Sequence, residues 1–415
     1  MGKLWTAEGA SPTIELKENM RRLEILDGMR GYFLVFMMLN HLSFAGGYLL
    51  VKFNHGELGY VQDAQGFVFL SGLLVGMVYA NRMRKQGYAA GALKVRKRAF
   101  ELYRYAIGCI ATIVILGMLL KGSQTYWEPW LWDLSKPDPF FAVAAALLLY
   151  QPTYMDILPQ YIVYLLVSPP LIWLCVTGHW RAVVAMSAIL WLAVQVGLNY
   201  PLADGIRAFL AWLYDGDTFR TAFNVLAWQI VFMSGLVLGA LTATGQIDWK
   251  KAMDPQRTVW AWTALAGVLI FMAIRLGFTF KIMPEDMAKQ FAGLDDRVEF
   301  SFIYLANFAA TGYLVAWTVM AGPRSENAVV RALGNGLSLV FSLSFLRLLG
   351  RHSLQVYSFH VILVYLLKAF DYHHGPFTEW SKTAIALTAV ASLAIPALYR
   401  ERDRFFGKRE APAKA

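Results

Sequence analysis

The chain has 415 residues, 57% of them hydrophobic and only 16% charged, with a mean hydropathy of +0.44. A soluble domain carries charge on about a quarter of its residues, so this composition excludes a water-soluble or disordered chain and leaves a polytopic membrane protein of the all-α class. The formal charge of +10 then reads as Lys and Arg retained on one side of a lipid bilayer, with no nucleic acid implied, and the two cysteines, Cys109 and Cys175, are too few for a disulfide framework.

Residues 1–21 hold Lys3, Glu8, Glu15, Lys17 and Glu18 with no apolar core, and so read as a tail without a cleavable signal. Apolar stretches follow near 31–51, 64–81, 102–120, 139–151, 159–176, 181–199, 222–243, 257–279, 301–321, 354–370 and 382–399. Ten can span a bilayer; 139–151 has thirteen residues, too few, and reads as re-entrant or interfacial. With that assignment the basic loops agree. The cluster Arg82, Arg84, Lys85, Lys94, Arg96, Lys97, Arg98 and Arg104 falls on the same side as Lys250, Lys251, Arg324 and Arg351, and the acidic loops with Glu128, Asp133, Asp204, Asp215 and Asp217 fall opposite. Basic loops stay inside, so both termini are expected in the cytoplasm. The stretch 333–349, interrupted by Gly334, Asn335 and Gly336, reads as an amphipathic helix on the inner surface, with a span as the alternative. No repeat and no linker divides residues 22–400, which form one bundle between the first tail and a basic tail at 401–415.

Ten residues separate Arg30 from His41. An eleven-residue helical step closes about three turns, which puts the two side chains on one face about 16 Å apart. Asp27 joins the stripe one turn earlier. Ionisable groups inside a span face the bundle interior and are functional candidates, and His360, in the span near 354–370, is a second. Further polar candidates sit at span ends: Asp63, Gln65 and Ser71 on the second span, and Asp156, Gln160 and Tyr161 at the start of the one near 159–176. Asp156 reads first as a helix cap, with a substrate contact as the alternative. Gly72 and Gly76 make a GxxxG pair suited to close helix packing. No His, Asp or Glu pair stands at i, i+3 or i+4 within a span, so no metal site is indicated, and no nucleotide fingerprint is present. Group transfer needs neither: a base must deprotonate an acceptor hydroxyl and a donor must steady the oxyanion. His41 fits the first role. A transporter that binds or relays with the same residues is the reading from another class, though no inverted repeat is evident.

The Arg30 to His41 spacing resembles the Arg-x10-His motif of the transmembrane acyltransferase-3 superfamily. With Phe67-Val68-Phe69-Leu70-Ser71-Gly72, Asp156-Ile157-Leu158-Pro159-Gln160-Tyr161 and Leu349-Gly350-Arg351-His352-Ser353-Leu354, the chain is similar to the OpgC branch, the osmoregulated periplasmic glucan succinyltransferases. That resemblance implies a bacterial inner-membrane enzyme that takes an acyl group, succinyl first of all, from cytoplasmic acyl-CoA to a periplasmic glucan hydroxyl, with no tightly bound cofactor. It implies His41 as general base, Arg30 on the donor with Arg84, Lys97, Arg98 and Arg351 beside it, and His360 on the acceptor or the oxyanion. An O-acetyltransferase of another envelope polysaccharide is the neighbouring alternative. Gln65 departs from the resemblance, which leads one to expect a carboxylate there.

Overall fold

The computed structural model describes residues 12–136, 138–214, 219–292 and 294–405. The outer parts of both expected tails, including Lys408 and Arg409, lie outside the described residues, as do Asp215 and Asp217. The first helix, α1, runs Pro12–His41, so residues 12–21 are its opening turns and not a loose tail. It also stops well before 51, which makes His41 its last residue and not a mid-span group. Gly46 and Gly47 follow at φ of 76° and 71°, a region glycine enters freely, and the Tyr48 hydroxyl donates to the Leu39 carbonyl, one of the acceptors a helix end leaves open.

Helices α2 (Asp63–Gln86) and α3 (Tyr88–Leu119) are joined by Gly87 alone, at φ 83°. The expected basic loop over 82–104 is therefore helix. Charge decides on which side of a membrane a segment lies, whereas Arg, Lys, Gln and Ala are strong helix formers whether or not lipid surrounds them. After α4 (Ser123–Leu131) comes α5 (Pro139–Ala146), whose eight residues reach about 12 Å. That agrees with a segment too short to cross. Then follow α6 (Ile157–Val176), α7 (Trp180–Gln195) with α8 (Tyr200–Leu213) bent 71° from it, α9 (Val225–Ala243), the single turn α10 (Trp249–Ala252), α11 (Thr258–Thr279), α12 (Glu285–Ala292) and α13 (Phe302–Met320). The chain continues as α14 (Ala328–Phe341) and α15 (Ser344–Arg351), bent 55° at their break, then α16 (Ser353–His374), α17 (Glu379–Ser392) and α18 (Ala394–Phe405).

Among the described residues eight helices are long and apolar enough to cross a membrane, up to ten if each bent pair is one span. The fold is an all-α polytopic bundle. Helix α1 is outside that count because Glu24, Asp27 and Arg30 interrupt its apolar half. Helices α14 and α15 do not lie on the surface as one amphipathic helix; they bend around α1. A Cβ at Gly28, Gly31 or Gly350 would overlap the backbone carbonyl of Phe341, Leu346 or Asp27 respectively, so the contact is backbone to backbone.

The same device locks α2 to α9. Gly72 and Gly76 abut the carbonyls of Phe232 and Leu236, while Gly235 and Gly239 abut those of Phe69 and Leu73. The GxxxG pair read from the sequence thus meets a second one on α9, and the two backbones approach without side chains between them. Gly239→Ala should lower stability by about 1–3 kcal/mol through overpacking. Gly108→Ala, where a Cβ meets nothing within 4 Å, should be neutral or stabilising. Thermal unfolding of the detergent-solubilised variants checks both, and equal shifts would remove the packing argument.

Candidate active site

His41 and His360 meet across the bundle, with His41 Nδ1 2.9 Å from His360 Nε2. The protons can be placed from the next link. His360 Nδ1 is 2.7 Å from the Tyr357 carbonyl, which can only accept, so Nδ1 carries the hydrogen and Nε2 of the neutral ring is the acceptor. His41 must then donate through Nδ1. Its own Nε2 is left with a lone pair, the tautomer a general base requires. His41 is half-buried and His360 is fully buried.

The ring of His41 is stacked on Tyr154, centroids 4.1 Å apart and planes 25° from parallel. Tyr154 comes from the irregular return after α5 and holds φ at 68°, uncommon for a bulky side chain. Three hydrogen bonds keep it there: Tyr357 hydroxyl to the Tyr154 carbonyl at 2.8 Å, Tyr365 hydroxyl to the Thr153 carbonyl at 3.1 Å, and Thr153 N–H to the Trp130 carbonyl at 3.0 Å. Residues of α16 therefore orient both partners of the His41 ring, one through His360 and one through Tyr357.

The end of α1 is clamped as well. Asn40 donates to Asp63 Oδ2 and accepts from Asn54 at 2.7 Å, while Asp63 Oδ1 lies 3.4 Å from His55 Nε2. Burial pushes the His55 imidazole down to about 4, so it is neutral and takes the Tyr32 hydroxyl's proton side at Nδ1, 3.2 Å away. Beyond His41, the Ala45 N–H donates to Asp371 at 3.0 Å, and buried Lys382 donates to the carbonyls of Ala45 (3.0 Å) and Gly47 (2.7 Å).

About three turns back along α1, Arg30 donates through Nη2 to Ser353 Oγ at 2.5 Å, and its guanidinium lies over Phe67, 5.6 Å from the ring centroid. Helices α1 and α16 are thus linked at two levels, Arg30 to Ser353 and His41 to His360. Arg30 and Arg98 both act electrostatically on Tyr161, so these three gather between α1, α3 and α6. Arg98 is half-buried and paired with Glu101 at 2.7 Å.

A family model described as OpgC protein matches residues 21–404. The chain belongs to the OpgC protein family. Membership makes it a membrane-embedded transferase. No curated protein matches, and no solved structure does.

The structure of this OpgC family member distributes the sequence candidates unevenly. His41, His360 and Asp156 surround one centre, and Arg30, Arg98 and Tyr161 form a second nearer the basic end. Asp156 is buried at the N-cap of α6 without a capping bond to its first turn, its carboxylate lying against the backbone of Asp156 and Ile157. Other candidates are occupied structurally. Gln65 donates to the Tyr60 carbonyl at 3.1 Å and accepts from the Gln62 N–H at 3.2 Å; Gln160 donates to the Tyr164 hydroxyl at 2.8 Å; Asp63 is engaged by Asn40 and faces His55. Ser71 lines a crevice with Phe67 and Tyr161, its hydroxyl buried and unpartnered. Asp27 makes no ion pair with Arg30 among the described residues, although each feels the other's charge. Arg84 and Lys97 are exposed, and Arg351 is paired with Glu401 at 3.3 Å. Tyr154, Asn40 and Tyr357 escaped the sequence reading, though Tyr154 lies only two residues before Asp156, and Ser353 stood in the stretch 349–354 without a role.

Both His360 nitrogens are engaged inside the protein, a geometry that suits orienting His41 more than the role on acceptor or oxyanion expected above. His360→Ala should lower turnover about 10²-fold or more, since the His41 tautomer is no longer set. His360→Gln, whose amide oxygen can accept from His41 Nδ1–H, should recover part of the loss with the donor KM unchanged. Turnover by both variants measures this; a Gln variant as poor as Ala would show that more than acceptance is needed.

Proposed function

We propose that this protein transfers an acyl group, succinyl in the first instance, from acyl-CoA to a hydroxyl of a periplasmic glucan, with His41 Nε2 as the general base. The observation that carries the reading is the chain Tyr357 carbonyl, His360, His41, which leaves the basic nitrogen of His41 unprotonated. In the reaction His41 Nε2 accepts the hydroxyl proton as the sugar oxygen attacks the thioester carbonyl. The tetrahedral intermediate collapses with C–S cleavage, and the departing thiolate recovers the proton from the imidazolium. No metal or other cofactor takes part in these steps.

The donor enters from the basic end, which the positive-inside rule makes cytoplasmic, and both termini lie there in the inner membrane. Arg30 and Arg98 suit the phosphates or the carbonyl region of the donor, because a guanidinium holds oxygen in fixed, forked geometry. The roughly 16 Å of helix between Arg30 and His41 is a distance for the pantetheine arm to bridge. Placement in the wider acyltransferase-3 superfamily accords with the same Arg30 and His41 arrangement.

Purified protein given labelled succinyl-CoA and glucan tests the proposal directly. His41→Ala should cut transfer about 10²- to 10⁴-fold while the protein stays folded; activity within about twofold of wild type would remove the base. Arg30→Lys should raise the KM for acyl-CoA about tenfold or more, the order expected for a hydrogen bond to a charged group, and leave that for glucan unchanged. An unaltered acyl-CoA KM in a stable variant would leave Arg30 without a donor role. Protein that moves no label from acyl-CoA would return the transport reading to the front.

A further inference from the structure

A polar cluster at the His41 end of the bundle has no part in the mechanism above. Its centre is Tyr60, three residues before α2, and everything about that side chain is fixed except its hydroxyl. The Tyr60 N–H donates to Asn307 Oδ1 at 2.7 Å, and the Tyr60 carbonyl accepts from Gln65 at 3.1 Å. The ring is edge-on to Tyr304 and Phe271, centroids 5.7 and 6.3 Å away, and lies against Phe291 at 5.9 Å. Over the ring sits the guanidinium of Arg275, near the C-terminal end of α11, 5.8 Å from the centroid. Asp295, just after α12, closes the group. Its N–H donates to the Phe291 carbonyl at 3.0 Å, and its carboxylate lies beside the Tyr304 hydroxyl.

Three atoms of this cluster are buried without a hydrogen-bond partner: the Tyr60 hydroxyl, Arg275 Nε and Asp295 Oδ1. Each such atom costs about 1–3 kcal/mol, and native interiors leave few of them. Tyr60 is 2% exposed, whereas Arg275 and Asp295 are half-buried, so the two charged side chains run from the sealed atoms to the surface. They pair neither with each other nor with another charged group among the described residues. The other charges nearby are engaged or exposed. Arg297 faces the Phe223 ring at 5.0 Å, Asp296 accepts from the Glu299 N–H at 3.0 Å, and Glu299 accepts from Asn224 at 2.6 Å; Glu285, Asp286 and Lys289 are exposed on α12.

We propose that Tyr60, Arg275 and Asp295 form a subsite for one sugar unit of the acceptor glucan, separate from the unit whose hydroxyl reacts at His41. The inference rests on the acyl-transfer reading above. One guanidinium and one carboxylate cancel in net charge, which disfavours an ionic ligand of either sign and suits a neutral one. A hydroxyl both donates and accepts, so neighbouring sugar hydroxyls satisfy a guanidinium, a carboxylate and a phenol together, within the aromatic wall that ligand sites commonly have. The place also suits an acceptor. Asn40, next to His41, bonds to Asp63 at the start of α2, and Gln65 on the same turn holds the Tyr60 carbonyl, so the cluster shares the His41 end of the bundle and lies away from Arg30. Among the described residues none of the three makes a hydrogen bond, ion pair or ring contact with His41, His360 or Tyr154. A polymer serves both places at once: the unit held here supplies binding energy while another presents its hydroxyl.

Equilibrium dialysis of a labelled, unsubstituted glucan against the full-length protein in detergent, with no acyl donor present, reads the subsite apart from catalysis. Tyr60→Phe removes only the unpartnered hydroxyl. It should leave the melting temperature unchanged or higher and weaken glucan binding about 3- to 10-fold, the order of one neutral hydrogen bond. Asp295→Asn should weaken it about 10- to 100-fold, the order of a hydrogen bond to a charged group. In turnover assays both variants should keep the succinyl-CoA KM, and the kcat at saturating glucan, within about twofold of wild type. Unchanged glucan affinity in both variants, the result if the three atoms meet only water, overturns the subsite and leaves acyl transfer standing. A lower kcat with unchanged glucan affinity places these residues at the reacting unit and also overturns it, as does wild-type protein that binds no glucan. Wild-type protein that binds glucan, with both variants weaker, but moves no acyl group supports the sugar site and overturns the transferase reading.

Discussion

His41 and His360 share one hydrogen bond, and most of the surrounding architecture serves to keep it aligned and one-sided. An imidazole with both nitrogens in water exchanges tautomers freely; one placed against a carbonyl at the right distance does not. The Tyr357 carbonyl supplies that fixed point, and α16 transmits it through His360. The bond also demands that α1 end where it does. One turn more of helix would carry the chain away from the contacts with Asp63, Asp371 and Lys382 that anchor residues 40–47. Buried polar groups of this kind are costly unless satisfied; here Asn40, the Ala45 N–H and the carbonyls of Ala45 and Gly47 have partners, while Asp63 Oδ1, His55 Nε2 and Asp371 Oδ1 are left without a hydrogen bond.

The two levels of contact between α1 and α16 divide the interior by charge. Around Arg30 lie Arg98 and Tyr161, the Ser353 hydroxyl and the face of Phe67, with Asp27 one turn away. Around His41 are the Tyr154 and His360 rings, with the carboxylates Asp63, reached through Asn40, and Asp156, two residues beyond Tyr154. Guanidinium groups on one side suit an anionic ligand, and that difference along the bundle is what the proposed transfer would use. The glycine contacts make this possible mechanically. By bringing α2 against α9 and α15 against α1 at backbone distance, they leave the remaining helix faces free to converge on the site.

Much of this was legible from residue order alone. The apolar stretches marked the helices, thirteen residues at 139–151 were too few for a span, and the spacing of Arg30 and His41 on one helix face survives in the structure. What was lost has a physical pattern. Charge density was read as loop over 82–104, although it reports solvent and not helix breaking. The end of α1 was missed because Leu42, Phe44, Tyr48, Leu49 and Leu50 prolong the apolar run after the helix has stopped; they pack as loop residues. Tyr154 and Ser353 reach the site only through contacts between segments far apart in the chain, and no local period encodes those. His360 was visible as an intramembrane histidine, but its orienting role depends on a carbonyl three residues away and a partner on another helix.

Gln65 shows how a single substitution of chemistry alters what such a site can ask of its backbone. Its amide donates to the Tyr60 carbonyl and accepts from the Gln62 N–H, closing the entry to α2 with one neutral side chain. An ionised carboxylate in the same place accepts from Gln62 but cannot donate, which leaves the buried Tyr60 carbonyl unpaired and adds negative charge beside Asp63. Unpaired buried acceptors cost on the order of 1–3 kcal/mol, so a carboxylate here requires either its own proton or a different course for residues 60–62. In this chain the glutamine lets the loop and the start of α2 stay fixed whatever the protonation of Asp63. Through Asn40, that fixed start of α2 bears on the last turn of α1 and so on the position of His41.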